Sequence, residues 1–272
     1  MSIQEPFDPV QGHFLAAVEN PQRARELISA HFEFADGTPA NPTTAIVPIC
    51  TRLSGSIQIR GTGFFVAPHT LATAKHVLFN DDALVAPLFV YQIAVGRCWE
   101  REVSLACCHL GADVAVLMLD HRRASMIPPV ALPITTRSPA RGEMVRTFAY
   151  PRSEVLAEPG LQSVFLAPDL QAGFIEDHLP GGRPGRGLGP CYQTSMFLGH
   201  KASGGPVFDQ SGRVFAVNST GFEILAGEQN ISFVSSIGPL LDCAVRTAVI
   251  DGVTRKEITI RELAKLGYVS LG

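Results

Sequence analysis

Short apolar runs separated by turn-forming residues follow one another from residue 45 to residue 242. Runs such as AIVPICTRL (45–53), GTGFFVA (61–67) and DVAVLML (113–119) are bounded by Gly, Pro, Asn or Asp. Strands of this length, closely spaced and without long intervening helices, are typical of an all-β barrel or sandwich. The pattern therefore predicts an all-β domain in the middle of the chain.

The two ends of the chain follow a helical pattern instead. Apolar residues recur at near-helical spacing over residues 8–33, and the segment 34–44 has the Pro, Gly, Asn and Thr content of a linker. At the other end, Ile258–Ile260 predicts a short strand, and IRELAKLG predicts a helix that ends at Gly267. The expected divisions are a helical extension with its linker, the β domain and a C-terminal helical extension: 1–44, 45–242 and 243–272.

Composition narrows the class of protein. Of the 272 residues, 46% are hydrophobic and 17% are charged, which is typical of a globular chain and not of a disordered one. The formal net charge is −3 and no basic block is present, so we expect no nucleic-acid partner. No apolar stretch approaches the length of a membrane span, and the first residues lack the pattern of a secretory signal. We therefore expect neither membrane insertion nor export.

The cysteine pattern favours a cytoplasmic location. They show no CxxC pair and no metal-ligand spacing, and the adjacent Cys107 and Cys108 would face opposite sides of a strand, which disfavours a disulfide between them. We expect free thiols in a cytoplasmic protein that has no metal or other cofactor. The six cysteines are Cys50, Cys98, Cys107, Cys108, Cys191 and Cys243.

The strongest local signal for chemistry is Ser203-Gly204-Gly205-Pro206. A nucleophilic serine needs an exposed hydroxyl on a sharp turn, with backbone N–H groups directed at the developing oxyanion. Two glycines allow both the turn and the approach of substrate, and the following runs PVFD and RVFAVNS would hold the turn rigid. An ordinary Gly-Gly-Pro hairpin loop is the alternative interpretation.

Two further segments contain the residue types that such a serine requires. The glycine-flanked strand GTGFFV precedes LATAKHV, which ends in Ala-x-His, and this framing favours His76 as a general base. Asp113 begins an apolar run, where a carboxylate is costly to bury unless a partner such as a histidine ring N–H pairs with it. His69 and His109 lack such framing, and an exposed turn position is the alternative for Asp113.

The three segments occur in the order His, Asp, Ser, which is the order of the chymotrypsin-like peptidases. Residues 45–242 resemble the trypsin-like peptidases, and within them the bacterial HtrA-type branch, which typically shows a GTGF strand, an A-x-H-V histidine, a D-x-A-x-L aspartate and an SGGP serine. MVRTFAYP (144–151) is similar to a family strand before the serine, and RVFAVNST (213–220) to the strand that lines the specificity pocket. The resemblance implies two six-stranded antiparallel β-barrels, about residues 45–135 and 136–242.

The resemblance also implies a mechanism, that of a serine endopeptidase acting on a protein or peptide substrate. Ser203 would attack the scissile carbonyl, His76 would carry the proton, and Asp113 would orient the histidine. The backbone N–H groups of Lys201 and Ser203 would form the oxyanion hole.

Two residues before the serine depart from the family pattern. Lys201 stands where the family normally has glycine, and if the working conformation requires positive φ, a lysine there costs about 1 kcal/mol or more. We therefore expect an oxyanion hole that is closed at rest and forms on binding of substrate or of a regulatory partner. Ala202 replaces the aspartate that pairs with a new N-terminus in secreted digestive members, so we expect no activation by cleavage of that kind.

The expected specificity pocket is apolar. No acidic residue lies near its predicted walls, which disfavours cleavage after Lys or Arg and favours a small or medium apolar residue before the scissile bond. The Gly- and Pro-rich segment 177–190 is predicted to lack regular structure, and it precedes the serine where regulatory loops lie in this family. The candidate pocket residues are Met196, Phe197, Asn218, Ser219 and Thr220.

Two other functions remain open. Lys201 and Ala202 are compatible with a binding module that keeps the cleft and has lost turnover, and the same catalytic groups would also serve an esterase. The terminal extensions carry no catalytic motif, so we expect them to pack against the barrels or to dock a regulatory protein partner. Because only about thirty residues follow residue 242, we expect no PDZ domain of the kind with which HtrA-type proteases capture substrates.

Overall fold

The chain is almost entirely β structure in the part that the computed structural model describes, namely residues 14–16, 42–80, 83–94, 97–120, 131–158, 161–183, 189–222, 231–250 and 253–272. Its first elements are β1 (Phe14–Ala16), helix α1 (Pro42–Ala45), β2 (Ile46–Leu53), β3 (Ser56–Ala67), β4 (Thr70–Thr73), β5 (Phe79–Asn80), β6 (Ala83–Leu84), β7 (Leu88–Ala94), β8 (Arg97–Cys108) and β9 (Ala115–Leu119). They continue as β10 (Met144–Ala149), β11 (Glu154–Glu158), β12 (Leu161–Leu166), β13 (Asp169–Leu179), β14 (Cys191–Thr194), β15 (Pro206–Phe208), β16 (Val214–Phe222), β17 (Ile231–Ser236), β18 (Ala244–Ile250), β19 (Val253–Thr259) and helix α2 (Ile260–Lys265). Short 3₁₀ helices occur at Lys75–Leu78, His200–Ala202 and Gly238–Asp242.

Two closed six-stranded antiparallel barrels dominate the structure, which confirms the predicted fold class. The first barrel has the strand order β2-β3-β4-β9-β8-β7, and the second has β10-β13-β14-β17-β16-β15. When the strands of each barrel are numbered along the chain, both barrels have the order 1-2-3-6-5-4, so the two halves repeat one topology. Closure leaves neither barrel with an unpaired sheet edge.

Tyr150, at the end of β10, ties the second barrel to the first. Its side chain is fully buried, and its hydroxyl donates to the backbone carbonyl of Ile46 at 2.8 Å. Its backbone N–H donates to the hydroxyl of Thr62 at 3.2 Å. One apolar cluster fills the first barrel and includes Tyr150, and a second fills the other barrel around Val145 and Phe215. These contacts hold the two barrels against each other at the surface where residues of both barrels meet.

The N-terminal region differs from the helix predicted over residues 8–33. Its described residues, Phe14–Ala16, are extended and pair in parallel with β12, Phe14 lying opposite Val164. The pairing partner is about 150 residues away in sequence, and helical periodicity gives no information about such a partner. The remainder of the predicted helix lies outside the described residues. Helix α1 lies at the end of the predicted linker.

The Gly- and Pro-rich segment and the C-terminus contain more strand than the sequence predicts. The segment predicted to lack regular structure, 177–190, begins with the last three residues of β13, because Asp177, His178 and Leu179 pair with β14; residues 184–188 lie outside the described part. At the C-terminus the predicted helix is confirmed as α2, and the predicted strand Ile258–Ile260 lies at the end of β19. The predicted helical extension over 243–272 is wrong for its first half, because β18 and β19 pair there as an antiparallel hairpin. Thr259 caps helix α2, and Gly267 follows it with φ +81°.

Candidate active site

The three predicted catalytic residues lie in turns at the barrel boundary. His76 lies in the 3₁₀ helix that follows β4, and Asp113 lies in the turn between β8 and β9. Ser203 comes directly after the 3₁₀ helix His200–Ala202. His76 and Asp113 therefore belong to the first barrel and Ser203 to the second. His76 is slightly beyond the strand end at which the sequence predicts it.

The carboxylate of Asp113 accepts three hydrogen bonds. Its Oδ2 lies 2.8 Å from Nδ1 of His76, and its Oδ1 accepts from the His76 backbone N–H at 3.0 Å. The hydroxyl of Ser219 also donates to Oδ2. Burial alone favours the protonated acid, but these hydrogen bonds outweigh burial, and the pKa of Asp113 lies below its ordinary value. The ionised carboxylate fixes Nδ1 of His76 as the protonated ring nitrogen, and Nε2 is the nitrogen that can accept a proton.

The hydroxyl of Ser203 donates to the backbone carbonyl of Ser219 at 3.0 Å. Among the described residues this is the contact that its Oγ makes, and it forms no hydrogen bond with His76. The His76 side chain is 47% exposed, so its ring is accessible to a substrate. In the mechanism predicted from the sequence, the serine hydroxyl would have to leave the carbonyl and turn to Nε2 of His76; such contacts often tighten only when substrate is bound.

Glycines allow the turn at residues 202–205, named the nucleophile turn for the predicted role of Ser203, to lie directly against the first barrel. Gly204 has φ +87°, and a Cβ there would lie 2.1 Å from the carbonyl oxygen of Thr62. Conversely, a Cβ on Gly61 would lie 2.7 Å from the carbonyl oxygen of Ser203. The glycines of SGGP and GTGF therefore permit one close approach between the two barrels, which explains why both motifs are needed.

Thr62, between the glycines of GTGF, is a site residue that the sequence did not single out. Its N–H donates to the carbonyl of Ser203 at 2.8 Å, and its hydroxyl donates to the carbonyl of Lys201 at 2.9 Å. Thr62 thus holds the carbonyl groups on both sides of Ala202. Thr62 and Lys201 are separated by 139 residues in the sequence, so only the barrel packing reveals this role.

The segment predicted to form the oxyanion hole is a tight helical turn. Lys201 lies within His200–Ala202, and the N–H of Ala202 donates to the carbonyl of Gly199 at 2.9 Å. The described non-glycine residues with positive φ lie elsewhere, so Lys201 has the negative φ that suits a lysine. Its ammonium donates to the backbone carbonyl of Ser153.

The predicted pocket residues fall into two groups. Met196 and Asn218 have no exposed surface, because Met196 packs in the core of the second barrel and Asn218 is hydrogen-bonded inside it. The hydroxyl of Ser219 is engaged by Asp113, to whose carboxylate it donates. Phe197 is 43% exposed and Thr220 is half-buried, so these two keep surface that a substrate can reach.

A cleft of about 480 Å³ lies beside the turn His200–Ala202. A volume of this size is within the range of ligand pockets, and the turn His200–Ala202 forms part of the wall of the cleft. At its edge Arg152 and Asp169 form an ion pair at 3.6 Å. The lining residues are Thr147, Ala149, Pro151, Arg152, Asp169, Gln171, Phe197, Leu198, Gly199, His200, Lys201 and Ala202.

The described residues include neither a metal-binding cluster nor a membrane-spanning helix. They contain no group of three or more His, Cys, Asp or Glu side chains that could hold a metal ion. No helix in the same part of the chain is long and apolar enough to cross a membrane. All six cysteines are free thiols.

Two barrels of one topology, with a histidine–aspartate pair on one and a serine turn on the other, define the chymotrypsin-like class of protein. The chain belongs to the trypsin-like peptidase domain family, whose model matches residues 61–217, more than half of its length. The matched stretch contains His76, Asp113 and Ser203.

Several solved structures share this fold. The Rv3671c protease from M. tuberculosis in its active form has a TM-score of 0.53 at 21% identity, with 88% of this chain and 91% of that chain covered. Deg5 has a TM-score of 0.53 at 18% identity, with 80% and 90% covered. The HtrA-type protease AlgW with a decapeptide has a TM-score of 0.53 at 16% identity, with 78% and 63% covered. No curated protein sequence matches the chain.

Proposed function

We propose that this protein is a serine endopeptidase that hydrolyses peptide bonds through an acyl-enzyme. The observation that carries the proposal is the buried carboxylate of Asp113, 2.8 Å from Nδ1 of His76, at the boundary where the Ser203 turn meets the first barrel. A carboxylate held against an imidazole in this way makes the other ring nitrogen a base. Membership of a peptidase family supports the same reaction.

Each residue has a defined step in this reaction. Oγ of Ser203 attacks the scissile carbonyl carbon while Nε2 of His76 takes its proton, and Asp113 stabilises the imidazolium that forms. The same proton then passes to the leaving amine, and water hydrolyses the acyl-enzyme on the return half. The N–H groups of Ser203 and Lys201 stabilise the oxyanion of each tetrahedral intermediate.

The oxyanion hole is closed at rest and forms when substrate or a regulatory protein partner binds. The helical turn at His200–Ala202, the negative φ of Lys201 and the contact of its ammonium with the Ser153 carbonyl support this regulation. The hydrogen bond from Ser203 to the Ser219 carbonyl supports it as well, because it holds the nucleophile away from the base.

The same observations favour a second candidate function, a binding module that keeps the protease cleft without turnover. Labelling with an alkyl fluorophosphonate separates the two candidates, because this probe reacts only with an activated serine. We expect wild type to be labelled at Ser203, and Ser203→Ala and His76→Ala to remain unlabelled. If wild type stays unlabelled with and without added peptides, the binding module is correct. Proteomic comparison of wild type with Ser203→Ala then identifies the residue before the cleaved bond, and parallel peptide and ester substrates test for an esterase.

Lys201→Gly is expected to raise the labelling rate of Ser203 about tenfold. Glycine adopts positive φ at little cost, whereas lysine loses about 1 kcal/mol or more there, and 1.4 kcal/mol corresponds to about a factor of ten. The matched control Lys201→Ala removes the ammonium contact with the Ser153 carbonyl but keeps the Cβ. An equal rise in both variants assigns the closed turn to that contact. Equal rates in all three proteins would contradict a hole that is closed at rest.

We also propose that the protein works in a reducing compartment, such as the bacterial cytoplasm, where free cysteines are usual. All six cysteines are free, and burial raises the pKa of the Cys243 thiol to about 12, so this thiol is unreactive.

A further inference from the structure

Asn218, in β16, contacts the nucleophile turn at three points. Its carbonyl accepts from the N–H of Gly204 at 2.8 Å, and its own N–H donates to the carbonyl of Gly205 at 2.8 Å. Its side-chain Nδ2 donates to the carbonyl of Ala202 at 3.2 Å. Any residue could make the two backbone contacts, but the third depends on the carboxamide.

The orientation of this carboxamide is fixed by its partners. Nδ2 also donates to the hydroxyl oxygen of Thr147 at 2.7 Å, and the single proton of that hydroxyl goes to the carbonyl of Pro206 at 2.8 Å. Both partners of Nδ2, this hydroxyl oxygen and the Ala202 carbonyl, are therefore acceptors. The NH₂ end of the amide has to face them.

The other end of the carboxamide is left without a partner. Asn218 has no exposed surface, and its Oδ1 forms no hydrogen bond with any described residue. A buried carbonyl oxygen without a donor is destabilising, and an aliphatic side chain of similar size would avoid this. The stability of the barrel core therefore does not explain an asparagine here, whereas the hydrogen bond that it donates to the Ala202 carbonyl gives it a use in the turn.

The Ala202 carbonyl belongs to the same peptide group as the N–H of Ser203, which is one of the two oxyanion donors of the proposed mechanism. A trans peptide is planar, so its C=O and N–H point in opposite directions. Asn218 draws the carbonyl toward the interior of the second barrel, and the N–H of Ser203 is thereby directed the other way. The N–H of Gly205 reinforces this by donating to the same carbonyl at 3.0 Å.

We infer that Asn218 is a positioning residue that aims the Ser203 N–H at the oxyanion, and not a wall of the specificity pocket. This inference rests on the proposed function. It also divides the oxyanion hole into two halves. The N–H of Ser203 is held permanently in place by Asn218, while the N–H of Lys201 moves with the helical turn His200–Ala202.

The test uses the full chain and alkyl fluorophosphonate labelling, in which the amplitude counts folded, competent molecules and the rate constant at saturating probe measures their reactivity. Asn218→Leu, which keeps the branched shape of the side chain and removes the donor, is expected to lower this rate constant about 10–100-fold and to leave the half-saturating probe concentration within about twofold. Asn218→Asp, which keeps the shape but faces the Ala202 carbonyl with an oxygen, is expected to lose at least as much.

Thr194→Val is the matched control, because Thr194 is equally buried in the second barrel and its hydroxyl has no partner among the described residues. Its rate constant should stay within about twofold of wild type. The inference is wrong if the Asn218 variants lose amplitude but keep the wild-type rate constant, since that is a purely structural role. It is equally wrong if they keep the rate constant but change which peptides are cleaved. Absence of labelling in wild type, both with and without added peptides, overturns the proposed function itself, and this inference with it.

Discussion

Replacing Asp113 by asparagine is expected to lower kcat about 10⁴-fold while the protein still folds. Asp113 accepts from His76 twice, through Oδ2 from the ring and through Oδ1 from the backbone N–H. Asparagine has only one oxygen. If that oxygen keeps the backbone contact, the NH₂ group faces Nδ1 and donates to it. The ring proton then lies on Nε2, the nitrogen that has to accept the proton of Ser203.

Ser219→Ala is the control for this prediction, because it removes one of the three hydrogen bonds to Asp113 without changing the tautomer of His76. It should lower kcat only about fivefold, as expected for one hydrogen bond of roughly 1 kcal/mol. Fluorophosphonate labelling rates can replace kcat until a peptide substrate is known, and chemical unfolding shows whether each variant folds. A labelling rate of Asp113→Asn close to that of wild type would mean that His76 is not the base.

The barrels and the catalytic segments could be predicted because their information is local. Each strand of the barrels is a short apolar run between turn residues, and that pattern needs no knowledge of the partner strand. His76, Asp113 and Ser203 each stand in a framed segment of a few residues. The order of those segments along the chain was enough to indicate which topology connects them.

The roles of Asn218 and Ser219 could not be predicted, because they depend on a local irregularity in β16. The pairing of β16 with β17 shifts register between Asn218 and Thr220. Regular alternation would place these two residues on one face, and the bulge changes which face each side chain takes. Asn218 turns to the Ala202 carbonyl, and Ser219 meets Asp113, a residue 106 positions away.

Lys201 combines a feature that the local sequence reveals with one that only the folded structure reveals. The sequence alone revealed that a lysine stands at a position where the family normally has glycine. The sequence did not reveal the consequence, which is that Lys201 lies in a helical turn with negative φ and its ammonium contacts the Ser153 carbonyl. That contact exists only in the folded structure, where the loop containing Ser153 lies next to the turn. The strand Phe14–Ala16 is a similar case, since its partner β12 belongs to a hairpin far along the chain.

Gly204→Ala is expected to destabilise the fold by about 2–4 kcal/mol and to lower the labelling rate of Ser203 by at least about 10³-fold. Gly204 has φ +87°, and a methyl group there would lie 2.1 Å from the Thr62 carbonyl oxygen and 2.2 Å from Oγ1 of Thr73. These two atoms are hydrogen-bonded to each other at 2.7 Å and belong to neighbouring strands, so neither can move aside alone. The turn has to shift instead, and the shift moves Ser203.

Gly142→Ala separates the two causes of this effect. Gly142 has nearly the same conformation, φ +81°, but a Cβ there meets no atom within 4 Å. This variant should therefore lose only the backbone contribution, about 1–2 kcal/mol, and should keep the wild-type labelling rate. Chemical unfolding of both variants gives the difference in stability, and the labelling rate gives the difference in reactivity. If Gly204→Ala were no worse than Gly142→Ala in both measurements, the nucleophile turn would not be packed against Thr62.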